Sequence, residues 1–218
     1  MISIDIFSDV VCPWCFIGKR NLEAAISVLA KKGERYQDIQ TNWRSFQLNP
    51  QLPTQGIARS EYTSKKFGGE ERAKIFYERI KESGQSVGLA FDFEKIKVQP
   101  NSARMHALVY AAEEIRKDHE LVERLFKTFF IDGVDLSKRE NMFSVAQSAG
   151  LDKEIIDKVL DEDYLSDKVH EDMQQAAHIG IQGVPFFVIN QIIGLSGAQP
   201  PESIVSAVEQ ALRDGQSN

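Results

Sequence analysis

The stretch Ile2-Ser3-Ile4-Asp5-Ile6-Phe7-Ser8-Asp9-Val10-Val11-Cys12-Pro13-Trp14-Cys15-Phe16-Ile17-Gly18-Lys19 changes periodicity part-way along. Ile2, Ile4 and Ile6 alternate with Ser3 and Asp5, the period of a strand with one buried face. After Lys19, residues Leu22, Ala25, Ile26 and Leu29 recur at helical spacing. Strand, turn and helix therefore meet at Cys12. Pro13 suits the first helical position, because its missing N–H costs nothing there and its φ is already helical, which makes Cys12 the expected N-cap. A thiolate at a helix N-terminus faces unpaired backbone N–H groups and the positive end of the macrodipole. The Cys12 pKa is thus expected below the free value of about 8.5, and Cys12 is the candidate nucleophile. Cys15, one turn later on the same face and further inside, is placed to attack a mixed disulfide and is the candidate resolving thiol.

The rest of the composition bounds what surrounds this turn. The chain has 218 residues, about one and a half typical domains, with 42% hydrophobic residues and a net charge of −6 from 26 basic and 32 acidic side chains. Such a chain buries a core without staples, so it is not a disordered polymer, and it has no positive excess to hold nucleic acid. No apolar run approaches the roughly 18 residues of a membrane span, and the mean hydropathy is −0.30. Met1 leads straight into the strand with no basic start, apolar stretch or cleavage site, so a cytoplasmic location is expected. In that reducing compartment a lone cysteine pair points to catalysis or metal binding. The chain has 2 cysteines in all. Random placement would set two cysteines three apart about 1 time in 100. A zinc half-site would need two more ligands, yet there is no second cysteine pair, and His106, His119, His170 and His178 show no ligand-like spacing. No metal is expected. Two merely buried cysteines are the other alternative, and they would leave Pro13 and Trp14 at a helix start without a reason.

A second motif lies near the C-terminus: Ile179-Gly180-Ile181-Gln182-Gly183-Val184-Pro185-Phe186-Phe187-Val188-Ile189-Asn190-Gln191. It reads as an apolar strand entered through Gly and Pro. The residues alone leave Val184-Pro185 either a trans strand start or a cis bond at a tight turn.

Taken together, Cys12-Pro13-Trp14-Cys15 after an N-terminal strand, Gly183-Val184-Pro185-Phe186-Phe187-Val188, Gln99-Pro100-Asn101-Ser102 and Ser196-Gly197-Ala198-Gln199-Pro200-Pro201-Glu202 resemble the DsbA family, and within it the cytoplasmic FrnE-like branch. The resemblance runs in order along nearly the whole chain. It implies an α/β thioredoxin-like fold with a large helical insertion, a redox-active disulfide between Cys12 and Cys15, and a cis Val184-Pro185 bond beside it. It also implies that the Val184 backbone holds a bound peptide by strand addition, with Pro185 and Trp14 at the same substrate site. Pro13 and Trp14 are the redox-tuning pair. They differ from the Gly-Pro of thioredoxins and the Pro-His of DsbA, so DsbA's strongly oxidising potential does not carry over. The implied partners are protein or peptide thiols and disulfides, with glutathione as a candidate co-substrate and no bound cofactor. Two other functions belong to the comparison. Glutathione-dependent isomerases of the hydroxychromene-carboxylate type and kappa-class transferases resemble this fold but carry a serine-type hydroxyl where Cys12 stands. A chaperone-like module would use the groove around Trp14 and Val184 without turnover.

The expected division is a thioredoxin-like domain of residues 1–57 and 179–218, with an all-helical insertion at 58–178. Pro and Gly at residues 50–56 mark the first boundary, and Gly180 marks the return. A strand is expected over Ile39–Phe46. In the insertion, Asn101 and Ser102 are expected to cap a helix from Ala103 to Arg116, and Ser137 with Glu140 to form a capping box. Gly150 should close that helix and Asp152 cap the next. Leu121, Leu125, Phe126 and Phe129 share one face, and with Phe130 and Phe143 read as the insertion's own core. The four histidines read as surface or capped side chains, and Asp161-Glu162-Asp163 as a solvated helix start. Pro200-Pro201 should open a last helix running to Leu212.

Overall fold

The computed structural model describes residues 1–161, 164 and 166–215. Its main sheet has the order β2-β1-β5-β6, formed by β1 (Ile2–Ser8), β2 (Ile39–Ser45), β5 (Phe186–Ile189) and β6 (Ile193–Ser196). β1 runs parallel to β2, with Ile6 opposite Trp43, and antiparallel to β5, with Ile6 opposite Phe187. β1 is central because its alternating face is apolar and its far end turns directly into α1 (Pro13–Ala30).

That alternation divides the buried residues. Ile2, Ile4 and Ile6 join the main core with Phe16, Leu22, Ala25 and Leu29 of α1 and Ile204 and Val208 of α9 (Pro201–Asp214). Phe7 points the other way and packs with Ala176 of α8 (Ser166–His178) and Ile181. Sheet and flanking helices thus form the layered α/β arrangement expected of a thioredoxin-like fold.

Between β2 and α8 the chain is mostly helical: α2 (Arg59–Phe67), α3 (Glu70–Gln85), α4 (Ala103–Glu113), α5 (Asp118–Phe130), α6 (Arg139–Ser148) and α7 (Lys153–Asp161). The segment is not all-helical. β3 (Ile57–Ala58) pairs antiparallel with β4 (Val98–Gln99) across its neck. Gly56 makes this possible: its φ is +71°, and a Cβ there would lie 2.6 Å from the Gln99 carbonyl oxygen.

The aromatic core differs from expectation as well. Leu121, Leu125, Phe126 and Phe129 are all buried, but Phe126 stacks on Phe16 of α1, with centroids 4.9 Å apart and planes at 13°. One continuous core therefore runs from β1 through α1 into α5. A charged seam follows the same junction, where Lys19 and Arg20 of α1 each donate to Glu123 of α5 at 2.8 Å. Burial pushes the Glu123 carboxyl up, yet the hydrogen bonds from Arg20 and Lys19 prevail and hold it at about 2.

Three local expectations are corrected. The Ser137–Glu140 capping box does not form, and Lys138 is the N-cap of α6: the Asp135 carboxylate accepts from the Ser137 N–H, which Glu140 would take in that box, and from the Ser137 hydroxyl. Asp161 ends α7 rather than starting a helix, and it pairs with Arg139. Glu162 and Asp163 lie outside the described residues. The histidines are not uniformly peripheral: His106 is 5% exposed.

Candidate active site

The end of β1 is pinned before α1 begins. The Ser8 carbonyl accepts from the Phe46 N–H, and the Asp9 carbonyl from the Cys12 N–H. The fully buried Asp9 carboxylate accepts from the backbone N–H groups of Val11 at 3.3 Å and Leu48 at 2.7 Å. This tight loop delivers Cys12 to the N-cap of α1 in an extended conformation (φ −102°, ψ 112°), with Pro13 at N1. The Cys12 sulfur makes no capping bond to the first turn. Its thiol donates instead to the Val184 carbonyl at 3.5 Å, closing a sequence gap of 172 residues.

Both cysteines are free thiols and buried, Cys12 at 4% and Cys15 at 2% exposure. Their surroundings differ. Burial, then the hydrogen bond and charge of Cys12, push the Cys15 thiol well above its ordinary value. The Asp9 backbone and the Ser8 side chain pull the other way without prevailing. Cys15 is therefore the sulfur that burial holds in its thiol form.

The Val184-Pro185 peptide is cis. Pro185 is held on two sides: its carbonyl accepts from the Gly197 N–H at 2.8 Å, and its ring lies against Gly18 of α1. A Cβ at Gly18 would sit 2.9 Å from Pro185 Cγ. The adjoining loop is tied to the same helix by Asn21, whose side-chain amide donates to the carbonyls of Ala198 and Gln199. Trp14, half-buried, forms one wall of a groove of about 600 Å³ with Ile17, Val87, Ala198 and Pro200. The structure thus brings Cys12, Cys15, Val184 and Pro185 together, with Pro13 starting the helix and Trp14 at the rim.

The Gln99-Pro100-Asn101-Ser102 motif is scaffold. Asn101 accepts from Gln47 and from the Ala103 N–H, and donates to the carbonyls of Pro50 and Leu52. It staples the loop after β2 to the start of α4.

Sequence reading missed Gly18, Asn21, Asp9 and His106 as parts of this neighbourhood. Gly18 and Asn21 follow Cys15 at i+3 and i+6, a helical spacing that places them close to one face. Gly18→Ala gives a sharp test of the site's packing. Alanine gains up to about 1 kcal/mol of helix preference, while forcing a methyl into a filled space costs about 1–3 kcal/mol. The net change is therefore a loss of about 0–2 kcal/mol. Displacing Pro185 also moves Val184 relative to Cys12, so thiol-disulfide exchange is expected to slow by about tenfold or more. Stopped-flow rates beside a thermal melt check both parts.

Residues 3–209 match the DSBA-like thioredoxin domain. The chain belongs to this family. Its fold is the family's thioredoxin fold with a helical insertion. It is similar to the uncharacterized protein YwbO of Bacillus subtilis (strain 168), at 25% identity over 94% of this chain and 96% of YwbO. Among solved structures, the probable DsbA oxidoreductase SCO1869 from Streptomyces coelicolor superposes with a TM-score of 0.89 at 29% identity, over 97% of this chain and 90% of that one. Cytosolic disulfide reductase DsbM from Pseudomonas aeruginosa shares the fold, with a TM-score of 0.67 at 17% identity over 97% and 98% of the two chains, and it has also been solved with GSH. Among the described residues no helix is long and apolar enough to cross a membrane.

Proposed function

We propose that the chain is a thiol-disulfide oxidoreductase in which Cys12 is the nucleophile and Cys15 the resolving thiol. The observation that carries this reading is the asymmetry of the pair: Cys12 stands at the N-cap position of α1 with its thiol on the Val184 carbonyl, while burial pushes the Cys15 thiol well above its ordinary value. In the reducing direction the Cys12 thiolate attacks one sulfur of a substrate disulfide. A Cys12–substrate bond forms, the substrate S–S bond breaks, and the first substrate sulfur leaves as thiolate. Cys15 then gives up its proton and attacks the Cys12 sulfur. The Cys12–Cys15 bond forms, and the second substrate sulfur leaves with its electron pair. The substrate gains two electrons and the pair loses two, and the oxidising direction is the same sequence reversed.

Because both sulfurs are buried, a substrate must seat in the adjoining groove to reach Cys12. The backbone of Val184, just before Pro185, is the expected docking rung for an extended peptide, and Trp14 supplies apolar contact. Pro13 and Trp14 put no cation beside the sulfur, so they tune the couple without a charge partner. Protein or peptide thiols and disulfides are the proposed substrates, with glutathione as a co-substrate, a choice supported by the likeness to DsbM. A hydroxyl-based isomerase is disfavoured by the thiol at position 12. A chain whose 2 cysteines are both spent on this site has no structural disulfide, which suits a cytoplasmic setting.

The test is trapping. Cys15→Ser is expected to accumulate a stable covalent adduct at Cys12 with a disulfide-containing peptide or oxidised glutathione, seen as a mass increase that dithiothreitol removes. If no adduct forms, or it forms equally in Cys12→Ser, where Cys15 is the one cysteine left, the proposal fails.

A further inference from the structure

Resolution of the mixed disulfide poses a proton problem. Cys15 is buried, its proton is tightly held, and at that stage Cys12 is itself bonded to substrate. Something inside the protein has to take the proton. Ser8, at the end of β1, is the side chain that acts on the Cys15 thiol against the effect of burial, lowering its pKa. Ser8 also lines a cavity of about 10 Å³ whose other polar walls include Ser45, His106 and Tyr110. That is the space of about one water, with enough polar neighbours to hold it. On its wall, His106 Nε2 is buried and makes no hydrogen bond with the described residues. It lies 3.4 Å from Asp9 Oδ1, outside hydrogen-bond geometry. A buried ring nitrogen without a partner is uncommon and calls for one.

We propose that His106 accepts the Cys15 proton, through the Ser8 hydroxyl and a water in this cavity, as Cys15 closes the disulfide. This rests on the oxidoreductase reading above and adds a residue from the helical insertion to its second step. The Cys15 proton passes to Ser8 as Ser8 passes its own to the water and the water passes one to His106. The Cys15 electron pair forms the bond to Cys12, and the substrate sulfur leaves with the pair of the broken bond. His106 later returns the proton to solvent, and no other reactant is needed.

Charged groups face His106 from several elements. Asp9 faces His106 from the loop after β1, and Asp172 from α8, where it accepts from the Ser45 N–H at 2.6 Å and from the Tyr110 hydroxyl. Arg44 of β2 also lines the cavity and opposes the charge, but it is paired with Asp5 at 3.2 Å. Burial raises the Asp172 carboxyl above its ordinary value.

The experiment mixes the reduced full chain with excess 5,5′-dithiobis(2-nitrobenzoate) in a stopped-flow instrument. Cys12 attack releases one thionitrobenzoate, and closure by Cys15 releases a second. His106→Gln is expected to slow the second phase about 100-fold or more at pH 7, the lower end of the range for a lost acid-base group. Its first phase should stay within about twofold, and the deficit should shrink as pH rises and hydroxide takes the proton directly. A second phase at the wild-type rate, or one slowed equally at every pH, overturns the relay. Ser8→Ala removes one hydroxyl and carries the same test if His106→Gln does not fold: a slowed, pH-rescued second phase supports the relay and an unchanged one overturns it. Absence of the first phase in the wild-type chain would instead sink the oxidoreductase reading, and the relay with it.

Discussion

Serine in place of Cys12 is expected to lower thiol-disulfide exchange by about a thousandfold or more, read as the rate of insulin reduction in the presence of glutathione or dithiothreitol. The size of the effect follows from the pair's asymmetry. A serine hydroxyl is essentially un-ionised at neutral pH and cannot form a disulfide. Cys15 offers no substitute, because it is fully buried and its thiol is pushed well above the ordinary range by burial and by its neighbour. Structure should hardly respond, since serine can still donate to the Val184 carbonyl that now accepts from Cys12. A cost of about 1 kcal/mol would move the melting temperature by about 2–4 °C in a chain of this size. The split between lost exchange and kept stability separates the enzyme from a chaperone-like module. A binding module would lose neither, so a Cys12→Ser protein at full activity ends the redox reading.

What the residues disclosed in advance was local chemistry. Alternation at Ile2, Ile4 and Ile6, the proline after Cys12 and the helical spacing after Lys19 are nearest-neighbour signals, and all three reappear as β1, the N-cap and α1. Long-range partners were visible only where resemblance supplied them, as with Val184 and Pro185. Where neither helped, the reading went astray. Ser137 and Glu140 match a capping pattern, but Asp135 takes the Ser137 N–H that Glu140 would have accepted, a competition that spacing rules do not weigh. His106 read as a surface or capped side chain, because nothing in its own neighbourhood says that Asp9, nearly a hundred positions earlier, will lie beside it. The phenylalanines of α5 were correctly assigned to a buried face, but periodicity cannot say which neighbour covers that face.

That last point has a measurable consequence. Phe126→Ala is expected to destabilise the chain by about 3–5 kcal/mol, the usual cost of a large aromatic truncation in a closed core. Phe126 and Phe16 are both fully buried and stacked, and Phe91 meets Phe16 edge-on at 6.0 Å, so little nearby is free to collapse into the space. Against a typical total of about 5–15 kcal/mol, this is about a fifth or more of the stability. In a chain of this length it corresponds to about 6–20 °C in melting temperature. If the core is as continuous as the packing indicates, thermal unfolding followed at Trp14 and Trp43 and by far-ultraviolet circular dichroism should shift together in one transition. An insertion with a core of its own would instead show two transitions, only one of them moved. The site should respond as well, because Phe16 directly follows Cys15. Loosening its stacking partner frees the first turn of α1, whose fixed position holds Cys12 against Val184 and Gly18 against Pro185. Exchange is therefore expected to slow in Phe126→Ala at temperatures where the protein is still folded. An unchanged rate would mean that the loop pinned by Asp9 positions Cys12 without help from the insertion.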